Sequence, residues 1–291
     1  MTLTILASIP SPSQGSINIG PVRLNAYGLM IALGVILAVR VASRRMEARG
    51  VGTAEQMGSV AMWGVPAGVI GGRAYHVLTS VDSYRGRWVE ALWIWKGGLG
   101  IWGGIALGVV VGMWRARRLG IDPVAVVACA TPGIAVAQAV GRWGNWFNQE
   151  LFGRPTDLPW ALEVSAQKAR AAGYAAGTTF HPTFLYESLG CLAIAGLVIL
   201  VERRFRPAGG RIFAVYVAMY TAMRFFIEGL RVDPARSAGG LRLNQWVALV
   251  VFAAAVGFLV ESRNTGPGPG SAPGRSEEHT SELQSPCNLV C

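Results

Sequence analysis

The chain has 291 residues, of which 52% are hydrophobic and only 14% charged. Soluble domains carry about 25% charged residues, so a soluble domain is excluded, and with it disorder, a coiled coil and a disulfide scaffold. The formal charge of +10 would suit a nucleic-acid binder, but such apolarity would not, and the composition is that of an all-α, multi-pass membrane protein with no nucleic-acid partner.

Stretches of about 20 apolar residues are the length a bilayer demands, and seven occur, at 24–42, 57–80, 93–114, 122–142, 184–201, 211–230 and 243–261. The first is no cleavable signal, because its basic residues (Arg40, Arg44, Arg45, Arg49) follow the apolar run. Cytoplasmic loops concentrate Arg and Lys. The first loop is densely basic, as are the third (Arg115, Arg117, Arg118) and the fifth (Arg203, Arg204, Arg206, Arg211). The even loops are longer and dilute their Arg with Asp82, Glu90, Asp157, Glu163 and Asp233. The pattern predicts an outside N-terminus, seven crossings and a cytoplasmic C-terminus. Tyr27, Trp93, Trp95, Trp114, Trp143 and Trp246 fit interfacial belts. The glycines at 103, 104, 108 and 112 fit close helix packing in lipid.

Residues 1–264 read as the membrane domain and 265–274 as a Gly/Pro-rich linker. Residues 275–291, RSEEHTSELQSPCNLVC, resemble the translation of a sequencing-library adapter and are expected to be non-native. Removing their one Arg and three Glu leaves 25 basic and 13 acidic residues, or +12. Cys287, Cys291 and His279 go with that tail. Cys129 and Cys191 remain in apolar runs as small core residues, and no metal or disulfide pattern is left.

Charges inside spans are costly and mark function by default. Here they are Arg73, Lys96, Arg142, Glu187, Arg224 and Glu228. Under the predicted orientation all six fall in the outer half of the bilayer, around an electropositive cavity. In the sixth span Tyr220, Arg224 and Glu228 stand four apart, with Arg231 three further on, so they share a helix face. A self-satisfied Arg–Glu pair would explain two of them, but not the second Arg or the Tyr. The segment from Gly141 to Arg154 (GRWGNWFNQELFGR) closes the fourth span with Gly, aromatic and polar residues. Arg142 is suited to a bidentate grip on phosphate, and Asn145 and Asn148 offer amide donors. An interfacial loop with a snorkelling Arg is the plainer alternative.

GRWGNWFNQELFGR is similar to the signature of the bacterial phosphatidylglycerol–prolipoprotein diacylglyceryl transferases. RLNAYG (23–28), Gly71-Gly72-Arg73, Gly97-Gly98-Leu99, HPTFLYE (181–187) and YTAMRFFIEGLR (220–231) agree with that family in order and spacing, so the resemblance spans about residues 15–261. It implies a seven-span enzyme of the bacterial plasma membrane with its active site toward the outer leaflet. The enzyme would move diacylglyceryl from phosphatidylglycerol to the lipobox cysteine of a prolipoprotein signal peptide, releasing glycerol 1-phosphate, the first step of lipoprotein maturation. By position, the resemblance makes Arg142 the phosphatidylglycerol-binding arginine, with Asn145, Glu150 and Gly153 in support. It makes Arg224 and Glu228 an essential pair, and Tyr27 a needed residue at the outer end of the first span. Two positions depart from the family: Trp102 stands where many members have a His, and Ala128 where an Asp is usual.

The expected catalytic set is therefore Arg142, Arg224, Glu228 and His181, and the expected binding set is Arg142, Asn145, Asn148, Glu150, Gly153, Tyr27, Tyr220 and Arg73. The two Arg would stabilise the departing phosphate. Glu228 would orient Arg224 or take the thiol proton. His181 would be a base or, more plainly, a structural residue at the start of the fifth span, and His76 is the other remaining imidazole. No cofactor is signalled, and the oligomeric state is left open. A transporter of an anionic solute is the rival reading, but no inverted repeat supports it.

Overall fold

The computed structural model describes residues 8–19, 22–94, 97–207 and 209–264. Asn25 opens the first long helix by accepting the Tyr27 amide at 2.9 Å, and α1 (Ala26–Ala48) follows. Thr53 and Gln56 form a reciprocal capping box for α2 (Ala54–Thr79). The chain continues through α3 (Ile101–Arg118), α4 (Pro123–Asn148), the short α5 (Ala166–Ala171), α6 (Thr183–Phe205), α7 (Gly209–Leu230) and α8 (Leu243–Asn264). Five of these, α1, α4, α6, α7 and α8, are long and apolar enough to cross a bilayer, which makes the chain a multi-pass membrane protein. Helices α2 and α3 have 26 and 18 residues but fall short in apolarity.

The helices depart from the apolar runs at their ends. The first continues past residue 42 and carries Arg44 and Arg45 on its last turns, because Arg is a good helix former and a helix need not stop where the hydrocarbon does. The third run was expected from 93, yet α3 starts at Ile101. Gly97 and Gly98 have φ of +87° and +78°, which no helix accommodates. Most consequential is α4, which runs six residues beyond 142 and ends at Gln149 in the left-handed region (φ +51°). Arg142 to Asn148 are thus a helix end and not a loop.

Two packing modes join the helices. Helices α2 and α3 are antiparallel and meet along glycines, so closely that a Cβ on Gly71 or Gly103 would fall on the other's carbonyl oxygen. Helix α4 lies against α1, α6 and α7. Its contact with α1 is also antiparallel: Gly144 faces the Tyr27 ring, Gly133 faces Ala38, and the Cys129 carbonyl accepts from Arg45. Ala42, Met46, Met57, Val60, Ala116, Ile121, Val126 and Cys129 close the end of the bundle where α1 and α3 finish. At the opposite end sits a small cap of short strands: β1 (Ile9–Pro10), β2 (Ser16–Ile19), β3 (Val22–Asn25), β4 (Leu162–Glu163) and β5 (Thr179–Phe180). Strand β4 lies between β1 and β5, while β2 and β3 form a separate hairpin. Phe152, Leu162, Ala169, Phe180 and Phe184 fill the core of the cap. A last hairpin, β6 (Ser237–Ala238) and β7 (Leu241–Arg242), leads from α7 into α8.

Candidate active site

The capped end is where α4 finishes, α6 begins, α7 finishes and α8 begins, and each helix delivers charged or polar side chains to one place. Thr183 starts α6 with its hydroxyl on the Leu151 carbonyl. One turn in, Glu187 is 3% exposed and takes Arg142 of α4 on one carboxylate oxygen and Arg224 of α7 on the other. The second arm of Arg224 reaches Glu228 one turn along α7, at 2.7 Å. Glu228 is 1% exposed, and both its oxygens are occupied. Arg231 Nη1 lies at 3.3 Å, Arg242 Nε at 3.0 Å, and Asn244 Nδ2 donates at 3.1 Å. Arg231 then forks onto Asp233 at 2.7 and 2.9 Å, and Arg242 joins it there at 2.9 Å. Burial alone would raise the Asp233 carboxyl, but the Arg231 hydrogen bonds and the charges of Arg231 and Arg242 hold it below the usual carboxylate range.

The result is an unbroken chain of ion pairs joining four guanidiniums and three carboxylates. Charges this deep persist only when paired, and the count leaves one positive charge over. Arg142 stands at the free end of the chain. Its side chain is 22% exposed against 16% for Arg224, no carboxylate other than Glu187 reaches it among the described residues, and the Tyr220 hydroxyl stands at its guanidinium. Tyr220 stacks on Tyr216, whose hydroxyl donates to Gln138 at 2.8 Å. Arg142 Nε is ion-paired to Glu187 Oε2, yet that oxygen accepts no hydrogen bond among the described residues.

The remaining signature residues form the rim. Asn145 and Asn148 both donate to Glu150 Oε1, at 2.9 and 3.3 Å. Gly153 donates its amide to the His181 carbonyl at 2.9 Å and pairs with Arg231 as a β-bridge, so the signature is tied to the end of α7. Arg154 repeats this with its amide on Leu230 and its side chain on Gly229. Tyr27 packs on Gly144, where any side chain would displace its ring. Gln149 bridges two backbones, donating to Pro12 at 2.6 Å and accepting from Ser165 at 2.8 Å, and so closes the cap.

Two residues of the expected site, Arg73 and His181, lie apart from the ion-pair cluster and its rim. Arg73 is 7% exposed and donates to the carbonyls of Glu90, Ala91, Gly97 and Gly98, at 2.5–3.1 Å. It ties Glu90 and Ala91 to Gly97 and Gly98 through four hydrogen bonds. His181 contacts Tyr186, Nδ1 to hydroxyl at 3.1 Å, and among the described residues no hydrogen bond joins it to Arg142, Arg224 or Glu228. Lys96 falls outside the described residues, as do Trp95 and the 265–291 tail. Of the two departures, Trp102 is exposed on the first turn of α3. Ala128 is buried 14 residues before Arg142, about 21 Å away along the helix, so it does not touch this cluster.

Five members of the cluster were absent from the expected site, among them Arg231, which the sequence placed on the face of Tyr220, Arg224 and Glu228 without giving it a role. Glu187 was visible as an intramembrane charge, but its two partners come from other helices and sequence spacing does not pair them. Arg242 and Asp233 sit between spans, where charge is unremarked, and Asn244 stands on the first turn of α8, where a lone amide draws no notice.

The sequence model of the prolipoprotein diacylglyceryl transferase family matches residues 14–261. The chain belongs to that family. It is 54% identical over 267 residues to the phosphatidylglycerol–prolipoprotein diacylglyceryl transferase of Streptomyces griseus, covering 90% of this chain and 80% of the relative. It is 53% identical to enzyme 1 of that name from Streptomyces coelicolor (90% and 76% covered) and 48% identical to the one from Cutibacterium acnes (87% and 86%). The matched region holds every residue of the ion-pair chain, from Arg142 to Arg242.

Proposed function

We propose that the chain transfers diacylglyceryl from phosphatidylglycerol to the lipobox cysteine of prolipoproteins, with the Arg142–Glu187–Arg224–Glu228 chain as its centre. The observation that carries this is the single surplus positive charge, presented by Arg142 at the end of an otherwise neutralised chain. One surplus charge suits the single negative charge of a phosphodiester, and family membership supplies the reaction. An anionic-solute transporter has no such support.

In this reading α2 and α3 cross the bilayer too, each shielding the other's glycine face, and give seven crossings. The basic ends of α1, α3 and α6 face the cytoplasm, so the capped end opens to the outer leaflet of the plasma membrane. Residues 1–264 are the catalytic unit. Both substrates arrive through lipid, phosphatidylglycerol by its acyl chains and the acceptor by its apolar signal segment.

The lipobox thiol gives up its proton to water, and the thiolate sulfur attacks the diacylglyceryl carbon that carries the phosphate. A C–S bond forms, the C–O bond breaks, and its electron pair leaves on the phosphate oxygen of glycerol 1-phosphate. Arg142 grips the phosphate and stabilises the charge developing there, as preorganised donors do in a dry site. Arg224 is held on both arms and supports Arg142 through Glu187. Glu228, with three hydrogen-bond donors and the Arg242 guanidinium on its two oxygens, positions Arg224, Arg231 and Arg242 and is badly placed to accept a proton. The thiol needs little activation, because a free cysteine has a pKa of about 8.5 and a cationic neighbourhood lowers it. Asn145, Asn148, Glu150, Gly153 and Tyr27 shape the rim that seats the headgroup, with Tyr220 beside the Arg142 guanidinium. Arg73 holds the adjoining loop, and His181 serves as an anchor.

Purified protein in vesicles, given glycerol-labelled and acyl-labelled phosphatidylglycerol and a lipobox peptide, tests the proposal. The acyl label is expected on the peptide cysteine as a thioether, with one glycerol phosphate released per peptide. Release of label without thioether formation contradicts it.

A further inference from the structure

At the opposite end of α6 a second carboxylate, Glu202, is clasped by Arg45 and Arg49 from the end of α1. Arg45 Nε also donates to the Cys129 carbonyl at 3.1 Å, which fixes the pair against α4. Beside this clasp the α1 and α6 ends leave a cleft of about 360 Å³, lined by Arg44, Arg45, Arg49, Glu202 and Arg203 together with Ala48 and Ile199. That volume falls within the range of small-ligand sites, roughly 300–1,000 Å³. Glu202 balances one of the four arginines, so three positive charges converge on the cleft. Arg44 and Arg203 are exposed, and no ion pair or hydrogen bond engages either among the described residues. Attraction to the carbonyl ends of the two helices accounts for some of this basicity, but not for four guanidiniums gathered on one cleft beside Ala48 and Ile199.

We propose that this cleft is a second lipid site, distinct from the catalytic one, that holds the phosphate of an anionic phospholipid of the cytoplasmic leaflet. Arg44 and Arg203 supply the direct contacts, while Arg45 and Arg49, held by Glu202, set the positive field. Basic pockets between helices on the cytoplasmic side have the chemistry that anionic headgroups require. The assignment to the cytoplasmic leaflet rests on the topology proposed above. The site would tie the inner end of α1 to α6 through a lipid, independently of turnover at the outer end.

The test uses the full chain in nanodiscs of zwitterionic lipid with a few per cent of phosphatidic acid carrying a photoactivatable group near its glycerol. Cross-linked peptides are mapped by mass spectrometry. Cross-links are expected on segments 44–49 and 199–203, and Arg44→Gln/Arg203→Gln should reduce them roughly tenfold or more. Retention of cross-linking in the double variant overturns the proposal, as does its absence from both segments in the parent chain. Competition by millimolar inorganic phosphate would assign the cleft to a free phosphate instead of a lipid, and that too overturns it. Orientation is read separately, by labelling Glu55→Cys in spheroplasts with an impermeant thiol reagent and mapping the peptide. Labelling without permeabilisation would refute the topology and the leaflet assignment while leaving the cross-linking result to judge the site itself.

Discussion

Helix α6 carries two carboxylates near its opposite ends, Glu187 buried and Glu202 partly exposed, and each is held between two arginines. Glu187 lies between Arg142 and Arg224, Glu202 between Arg45 and Arg49. Locally the two knots are alike; what differs is what each is joined to. At Glu202 both arginines come from the end of α1, four residues apart, so the knot pins two helix ends together and stops. At Glu187 the arginines come from different helices, and one of them passes the charge on to Glu228, Arg231, Arg242 and Asp233. An Arg–Glu–Arg arrangement is therefore no sign of catalysis by itself. The distinguishing mark is a continuous chain that fixes several helix ends and leaves one guanidinium partly open.

After the loss of Arg142 itself, the largest effect that would break the comparison is expected at Arg224. Replacing Arg224 with Ala cuts the chain in two and leaves Glu187 and Glu228 short of a partner. Transfer to a lipobox peptide should fall at least about 10²-fold, the scale of losing a preorganised donor. Glu187→Gln keeps the shape but removes the charge between two arginines, and its loss, roughly tenfold or more, should appear in kcat more than in KM. Glu202→Gln makes the same change in the other knot. It should lower the unfolding free energy by roughly 1–3 kcal/mol, measured by thermal melting in detergent, with far less loss of transfer per folded molecule than Glu187→Gln. Equal losses of transfer from the two glutamates would erase the distinction.

Smallest in size is a pH effect at Asp233. Its carboxyl is held below the ordinary range in the folded protein. It therefore contributes stability that is fully present above the unfolded value of about 3.9 and is lost as pH falls through the lower folded value. Melting temperature against pH should drop on the acid side more steeply for the parent chain than for Asp233→Asn, which has already lost the contribution at neutral pH.

Sequence showed much of this, unevenly. The apolar runs locate every long helix, and the intramembrane charges Arg142, Glu187, Arg224 and Glu228 stand out because lipid makes them expensive. The glycines of α3 were legible as a packing face, and in the structure they meet those of α2. Pairing between helices was not legible. Arg73 looked like a ligand group because its four carbonyl acceptors lie on a loop whose path no periodicity describes. Arg242 looked like an ordinary loop residue because only the turn from β6 to β7 swings it back onto Glu228 and Asp233. The end of α4 was misplaced because Trp143, Trp146 and Phe147 interrupt the aliphatic run without interrupting the helix.

The most direct measurement of the central claim is transfer of labelled diacylglyceryl by Arg142→Ala in vesicles, alongside its melting temperature. Arg142 is the open end of the chain, so its loss should abolish thioether formation while the fold, pinned by Glu228 and its partners, still melts cooperatively. A folded Arg142→Ala protein with near-parental transfer would contradict the account.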